Sequence, residues 1–81
     1  MNIVRTPSFR REFDTFPASV QRLFEKQIAF LVHDLRHPSL HAKKYGGVTD
    51  VWQARVNRNV RFYFRIEDGV YRLLNIHKHA D

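Results

Sequence analysis

The chain has 81 residues, which is enough for one small domain, residues 1–81, with a single hydrophobic core. Hydrophobic residues make up 43% of it, which excludes a disordered basic tail, and the absence of cysteine excludes disulfide bonds and thiolate-bound zinc. Fourteen Lys and Arg residues against eight Asp and Glu residues leave a formal net charge of +6, which favours a polyanion or an acidic protein as partner.

Most of the excess positive charge lies in the second half of the chain. Residues 37–81 carry eight Lys and Arg, four Asp and Glu, and four of the five histidines. Charge by itself is equally typical of a cationic surface without a ligand. Neither a signal-peptide apolar run nor the ~20 apolar residues of a membrane span is found, so we expect a cytoplasmic protein with no membrane partner.

The first residues predict a strand followed by a short helix. Asn2–Arg5 is apolar at its centre and precedes Pro7, which cannot continue a hydrogen-bond ladder, so it is typical of an edge strand. Ser8 is the expected N-cap of the helix. Three phenylalanines then share one helix face at helical spacing: Phe9, Phe13 and Phe16.

A longer second helix is the strongest structural signal in the sequence. We predict that it begins at Pro17, which suits a first helical turn, and ends at His37, because the following proline disfavours helical backbone. Its apolar positions recur with helical spacing and are expected to face the core: Val20, Leu23, Phe24, Ile28, Leu31, Val32 and Leu35.

Residues 37–50 have no apolar period and are rich in turn-forming residues, so we predict a loop. Lys43 and Lys44 make this loop basic, and two interpretations stay open: they close over the sheet and contact phosphate, or they are simply solvated. His37 and His41 have the spacing of helical metal ligands, but the proline between them prevents a helix, and neither cysteine nor a nearby carboxylate completes a zinc site. We therefore expect no metal and no other cofactor.

The remainder of the chain alternates between apolar and polar residues, as strands do. Two apolar rows result: Trp52, Ala54 and Val56, and then Val60, Phe62, Phe64 and Ile66. Pairing Val56 with Val60 keeps both rows on one face, which predicts a three-residue hairpin loop over residues 57–59. We interpret Trp52 as a core anchor rather than a platform for base stacking.

The last hairpin turns at residues 67–69, and two registers are possible. Asp-Gly is the usual signal of a two-residue turn and would pair Ile66 with Tyr71, but that register sends Leu74 and Ile76 to the polar face. We therefore favour a three-residue loop, which brings both under the helices. The opposite face of the last strand then carries Tyr71, Leu73, Asn75 and His77.

These elements predict an α+β fold: a short N-terminal strand and a two-helix hairpin packed on one face of a small antiparallel sheet of three or four strands. The other face would be open to solvent and would carry Arg55, Arg61, Tyr63, Arg65, His77 and His79. In this register Arg61 lies opposite both Arg55 and Asn75. Like charges placed opposite one another favour a bound anion such as RNA, whose phosphates bind arginine and whose bases stack on tyrosine.

Several segments, taken together with the order of elements, carry a family resemblance. They are His37-Pro38-Ser39-Leu40, Lys43-Lys44-Tyr45-Gly46-Gly47, Trp52-Gln53-Ala54-Arg55-Val56, Val60-Arg61-Phe62-Tyr63-Phe64-Arg65-Ile66 and Leu73-Leu74-Asn75-Ile76-His77-Lys78-His79. The combination resembles the RelE/ParE superfamily of bacterial toxins over nearly the whole chain. The resemblance implies a type II toxin-antitoxin component with an antitoxin partner. RelE-like members cleave mRNA in the ribosomal A site, and ParE-like members inhibit DNA gyrase.

The resemblance also implies roles for single residues. Arg61 matches the arginine that faces the scissile phosphate, and His79 is similar to the C-terminal position where some members place an Arg or a catalytic His. Arg55 and Lys44 match positions that are commonly basic. The residues expected to act in catalysis are Arg61, His79, His77 and Arg55. Those expected to bind RNA are Lys43, Lys44, Arg58, Arg65 and Lys78.

The predicted reaction is a metal-independent attack of a ribose 2'-hydroxyl on the adjacent phosphate of ribosome-bound mRNA. Two alternatives stay open: a ParE-like toxin that inhibits gyrase without cleaving RNA, and an inactive homologue that only binds antitoxin. Ala80-Asp81 stands where many active nucleases of the family carry a tyrosine, and the loop lacks the glutamate of one subgroup, which favours the first alternative. In every case the basic face suits an acidic, amphipathic antitoxin segment.

Overall fold

Two helices lie against one face of a five-stranded sheet in the computed structural model, which describes residues 2–45 and 50–79. The strands are β1 (Asn2–Arg5), β2 (Lys43–Lys44), β3 (Trp52–Arg55), β4 (Val60–Glu67) and β5 (Val70–Lys78). The helices are α1 (Pro7–Phe13) and α2 (Ala18–His33), followed by a short 3₁₀ helix (Pro38–Leu40). The predicted α+β fold class is confirmed.

The sheet has the strand order β1-β5-β4-β3-β2. β1 runs parallel to β5, whereas the other neighbours are antiparallel. The sheet is thus mixed and five-stranded, and the prediction of three or four antiparallel strands was wrong on both points. The fifth strand is Lys43–Lys44, which pairs with β3 inside the segment that was predicted to be a loop.

The start of α1 differs from the prediction by two residues. Thr6, not Ser8, is the N-cap: its hydroxyl accepts a hydrogen bond from the Phe9 N–H at 3.3 Å. Pro7 then occupies the first helical turn, where a residue without an N–H loses no helical bond. The Thr6 hydroxyl also donates to the Leu73 carbonyl at 2.7 Å, which fastens the start of α1 to β5.

The core lies between the helices and the sheet. Its largest completely buried side chains are Phe9, Phe24, Phe62, Phe64, Leu31, Leu40, Leu73 and Ile76. The Phe24 ring lies 5.2 Å from the Phe9 ring and 5.1 Å from the Phe62 ring, so it joins α1, α2 and β4. Trp52 packs against this core and stacks on Phe64, as predicted for a core anchor.

The apolar stripe of α2 is narrower than the sequence predicts. Leu23 and Val32 were expected in the core but are 41% and 37% exposed. Each adjoins a buried residue in the sequence, Phe24 or Leu31, and neighbours on a helix point about 100° apart, so one sheet face cannot cover both.

No helix in the described part of the chain is both long and apolar enough to cross a membrane.

The first hairpin follows the predicted register. Ala54 pairs with Phe62 and Trp52 with Phe64, and the Val56 N–H donates to the Val60 carbonyl at 2.9 Å across the three-residue loop. The side-chain oxygen of Asn57 accepts hydrogen bonds from the N–H groups of Asn59 and Val60, which fixes the loop conformation.

The second hairpin does not follow the predicted register. Asp68 and Gly69 form a two-residue turn with φ values of 50° and 75°, and Glu67 pairs with Val70. Positive φ at both positions is the type I′ turn that the Asp-Gly sequence favours, so the three-residue loop was wrong.

A bulge in β5 explains how this turn is compatible with a continuous core. The register shifts between Tyr63 and Phe64, which leaves Leu74 without a partner. Residues on either side of the bulge, Leu73 and Ile76, therefore both face the core. Leu74 was predicted to lie under the helices, and Tyr71 and Leu73 on the opposite face. All three assignments are reversed, since Tyr71 and Leu73 are core residues and Leu74 is not.

Candidate functional site

An open cleft of about 570 Å³ lies where β2, β3 and β4 meet the end of β5. We call it the cationic cleft. It is lined by His41, Ala42, Lys43, Tyr45, Gln53, Arg55, Arg61 and His79. Three cationic side chains and two imidazoles thus share this cleft, and no carboxylate lines it among the described residues. Such a set of groups suits a phosphate-bearing ligand.

Arg61 is the most enclosed charged group of the cleft, since only 6% of it is exposed. Its Nη1 donates to the carbonyl oxygens of Asn57 and Arg58, each at 2.9 Å, so the hairpin loop fixes the guanidinium from one side. It makes no ion pair with any residue that the structure describes. The positive charge is therefore held in place and left uncompensated.

Arg55 lies directly opposite Arg61 on the neighbouring strand, as predicted. Its backbone carbonyl accepts a 2.8 Å hydrogen bond from the buried side chain of Gln27, which also donates to the Ser39 carbonyl. Gln27 thereby ties the 3₁₀ helix to β3 and sets the wall of the cleft. Two like charges opposite one another on paired strands repel unless an anion lies between them.

His79 reaches the cleft through the same hairpin loop. Its backbone N–H donates to the Asn59 carbonyl at 2.6 Å, continuing the β4–β5 ladder one residue beyond β5. The loop from Asn57 to Asn59 therefore holds both Arg61 and His79 through its carbonyl oxygens. The structure brings Arg61, Arg55 and His79 together, although they come from three different strands or strand ends.

His77 lies opposite Arg61 in the sheet, where the predicted register had placed Asn75. Its imidazole nonetheless turns to α1: Nε2 is 2.6 Å from a carboxylate oxygen of Glu12. The structure thus places His77 outside the lining of the cationic cleft.

Glu12 forms hydrogen bonds with the part of β5 that extends beyond its pairing with β1. Its carboxylate accepts hydrogen bonds from the Asn75 side chain at 3.0 Å and from the Ile76 N–H at 3.2 Å, besides its contact with His77. Burial raises the pKa of Glu12, but hydrogen bonds from Asn75, His77 and Ile76 outweigh it, and the pKa lies below its ordinary value. Glu12 therefore acts as an ionised anchor for the end of β5.

Of the side chains predicted to bind RNA, Lys43 lines the cationic cleft. Lys44 points to the other side of the sheet, where its Nζ lies 5.9 Å from the Trp52 ring. Lys78 lies beside Phe16 and Pro17, also away from the cleft. Alternation along β2 and β5 separates these two lysines from their neighbours that face the site.

The other two predicted RNA-binding residues do not line the cleft. Arg58 is exposed in the hairpin loop, where its carbonyl accepts from Arg61. Arg65 lies opposite Arg72 on β5, and its buried Nε has no hydrogen-bond partner among the described residues. Arg72 itself pairs with Glu67 at 3.0 Å.

Three residues with polar side chains line the cleft without having been predicted as site residues: His41, Tyr45 and Gln53. The spacing of His41 from His37 indicates only a metal-ligand role, and no group of three or more metal-binding side chains occurs in the described ranges. Its backbone is left-handed, with φ of 47°, immediately after the 3₁₀ helix. The available signal was an imidazole two residues before a lysine in a basic segment, which is a weak one.

Solved structures resemble this architecture closely. A YoeB/ParE toxin from Agrobacterium tumefaciens matches with a TM-score of 0.83 at 15% identity, over 99% of this chain and 100% of that one. The isolated E. coli RelE toxin matches with 0.78 at 14% identity, over 99% and 85%. The intact E. coli RelBE toxin-antitoxin complex matches with 0.78 at 13% identity, over 99% and 98%.

The chain has the RelE/ParE toxin fold. The resemblance seen in the sequence is thereby confirmed at the level of the fold. No protein-family model matches the sequence, and a comparison with curated proteins finds no match.

Proposed function

We propose that this protein is the toxin of a type II toxin-antitoxin module and that it cleaves mRNA on the ribosome. The single observation that carries the proposal is the cationic cleft, in which two arginines, a lysine and two imidazoles converge and none of the described lining residues is a carboxylate. Toxins, alone or with antitoxins, share the fold, which supports the same role here.

The groups that line the cleft are sufficient for the proposed cleavage reaction. A ribose 2'-hydroxyl loses its proton and its oxygen attacks the adjacent phosphorus; the bond to the 5'-oxygen then breaks, and that oxygen takes up a proton. The products are a 2',3'-cyclic phosphate and a 5'-hydroxyl. The enzyme must accept one proton, donate another, and stabilise the negative charge that accumulates on phosphorus-bound oxygens.

The arginines suit the stabilisation of that charge. The guanidinium of Arg61 is held by two loop carbonyls and lies opposite Arg55, so both charges are in place before the substrate binds. Arginine stays protonated throughout the working pH range and binds phosphate oxygens through paired N–H groups. Lys43 is then available to hold a neighbouring phosphate of the RNA backbone.

His79 and His41 are the imidazoles of the cleft, and we assign proton transfer to them. Imidazole is suited to this task because its ordinary pKa is near neutrality. His77 was expected to share the role. We leave it out of the reaction because its ring contacts Glu12 at 2.6 Å and lies outside the cleft lining.

An acidic antitoxin segment is the protein partner we propose. The net charge of +6 and the uncompensated arginines would gain from acidic side chains in the cleft, which would also exclude RNA. One bound segment would then neutralise the toxin by occupying the same site as its substrate.

The test is induced expression without a partner gene, followed by mapping of transcript ends. The parent protein should arrest growth and produce discrete cuts within translated codons. His79→Ala should lower cleavage about 100-fold or more, the usual size of a lost acid-base group. Arg61→Lys should also lose cleavage, because lysine keeps the charge but not the paired donors.

Arg22→Ala is the matched control, because Arg22 is an exposed arginine on α2. It should cleave like the parent, and thermal denaturation should show that every variant is folded. Growth arrest with a DNA-damage response and no cuts would indicate gyrase inhibition instead. The absence of arrest would indicate an inactive homologue that binds antitoxin only.

A further inference from the structure

A second, smaller pocket adjoins the cationic cleft on the same face of the sheet. Its volume is about 230 Å³. Tyr45 belongs to the walls of both, so the two adjoin at this residue. We call it the tyrosine pocket, and it is lined by Tyr45, Val51, Tyr63, Leu74, Asn75 and His77.

Three aromatic rings form a continuous row along the tyrosine pocket. The Tyr45 and Tyr63 rings meet edge to face at 5.1 Å, and the Tyr63 ring lies 5.7 Å from the His77 imidazole. Tyr45 is 43% exposed, so much of its ring is available to a ligand. Tyr63, between the two exposed rings, is half-buried. A row of accessible rings beside a cationic groove is the usual arrangement for binding unpaired nucleotides.

The rest of the pocket wall combines apolar surface with one polar group. Leu74 faces this pocket only because the bulge in β5 turns it away from the core. The amide nitrogen of Asn75 donates to Glu12, and the amide oxygen accepts no hydrogen bond from a described residue. An apolar wall, a ring and one acceptor match a flat heterocycle that carries N–H groups.

The size of the pocket limits what it can hold. Sites for whole small molecules usually measure about 300–1,000 Å³, so a pocket of about 230 Å³ suits a single ring system. Because Tyr45 lines both spaces, the pocket lies directly beside any phosphate group bound in the cleft. The Tyr63 hydroxyl is available as a neutral hydrogen-bond donor. Burial and the neighbouring Tyr45 raise the pKa of Tyr63 by more than Arg61 lowers it, so the hydroxyl keeps its proton.

We propose that the tyrosine pocket is a nucleobase subsite: it holds one unpaired RNA base next to the scissile phosphate and gives cleavage its preference for a nucleotide. This inference rests on the proposed function. Tyr45 supplies the exposed ring, Leu74 the apolar wall and Asn75 the acceptor.

The experiment maps transcript ends in a translating extract to which the purified full chain is added. The frequency of each nucleotide is counted at every position around the cuts. The parent should show a preference at one position. Tyr45→Ala should abolish that preference and lower cleavage about tenfold, within the usual range for one stacked base. Tyr45→Phe, the matched control, keeps the ring and should retain the preference.

A second variant, which fills part of the tyrosine pocket with a larger side chain, tests the subsite without changing Tyr45. Leu74→Phe narrows the pocket without removing a charged or polar group, and it should abolish the same preference. Parent cleavage without any nucleotide preference, or a preference that survives both Tyr45→Ala and Leu74→Phe, would overturn the subsite. If those variants instead weaken only antitoxin binding, the pocket holds a protein side chain and the inference is wrong. A parent that makes no cuts refutes the proposed function itself.

Discussion

Glu12→Gln should destabilise the fold, although Glu12 lies on the surface of a short helix. Its carboxylate accepts three hydrogen bonds, from Asn75, Ile76 and His77, and these tie α1 to the part of β5 that extends beyond its pairing with β1. Glutamine has nearly the same shape, but it replaces one acceptor oxygen by an NH₂ group and removes the negative charge.

The size of the effect follows from these contacts. A hydrogen bond to a charged group contributes roughly 1.5–3 kcal/mol when buried, but the Glu12 side chain is 31% exposed and glutamine keeps one acceptor. We therefore expect a loss of about 1.5 kcal/mol in the free energy of unfolding. In a domain of this size that lowers the melting temperature by about 6–12 °C.

The loss should depend on pH with a definite sign. Because the pKa of Glu12 is lower in the folded protein than its ordinary 4.5, its stabilisation is complete above that value and disappears as the pH falls through the folded pKa. Thermal denaturation of parent and Glu12→Gln should therefore show a clear difference above pH 4.5, and the difference should shrink below pH 4.5.

Glu25→Gln is the control. Glu25 also forms a 2.6 Å ion pair, with Arg5, but its side chain is 50% exposed and an exposed pair contributes little, roughly 0–1 kcal/mol. Equal losses for Glu12→Gln and Glu25→Gln, or a loss for Glu12→Gln that does not change with pH, would refute the reasoning.

Three further predictions concern packing, charge and backbone. Phe24→Ala should lower the free energy of unfolding, measured by urea denaturation, by ~3–5 kcal/mol, because Phe24 is completely buried. Leu23→Ala should lower it by less than ~0.5 kcal/mol, because Leu23 is 41% exposed, and equal losses would contradict the orientation of α2. Arg55→Gln should raise the free energy of unfolding by ~0.2–1 kcal/mol while lowering RNA cleavage, since it relieves repulsion with Arg61, and a less stable variant would oppose this. Gly69→Ala should cost ~1–2 kcal/mol through its φ of +75° alone, because nothing lies within 4 Å of the added Cβ; an unchanged denaturation midpoint would contradict the turn.

Features set by local periodicity were predictable from the sequence. The register of the first hairpin followed from the alternation that brings Val56 opposite Val60. The same alternation gave Arg55 opposite Arg61, and hence the like-charge pair of the cleft. The predicted register of the second hairpin was wrong because the apolar alternation shifts by one residue along the last strand. An extra residue in the turn or a bulge within the strand can produce such a shift. The prediction placed the extra residue at the turn, whereas the structure places it at Leu74.

Long-range contacts account for most of what the sequence did not reveal in the site. The contact between Glu12 and His77 joins residues 65 positions apart, and no local pattern indicates it. Lys43–Lys44 is too short a strand to show alternation, so the separation of Lys44 from the cleft could not be predicted. His41 enters the cleft through a left-handed backbone turn that follows no sequence period.

The chemical identity of the RNA ends tests the central claim most directly, namely that the arginines and imidazoles of the cationic cleft cleave RNA through the ribose 2'-hydroxyl. Mass spectrometry of fragments from a translating extract containing the purified protein should find 2',3'-cyclic phosphate on one side of each cut and a 5'-hydroxyl on the other. Fragments that carry a 5'-phosphate would contradict the account, because water rather than the ribose would then be the nucleophile.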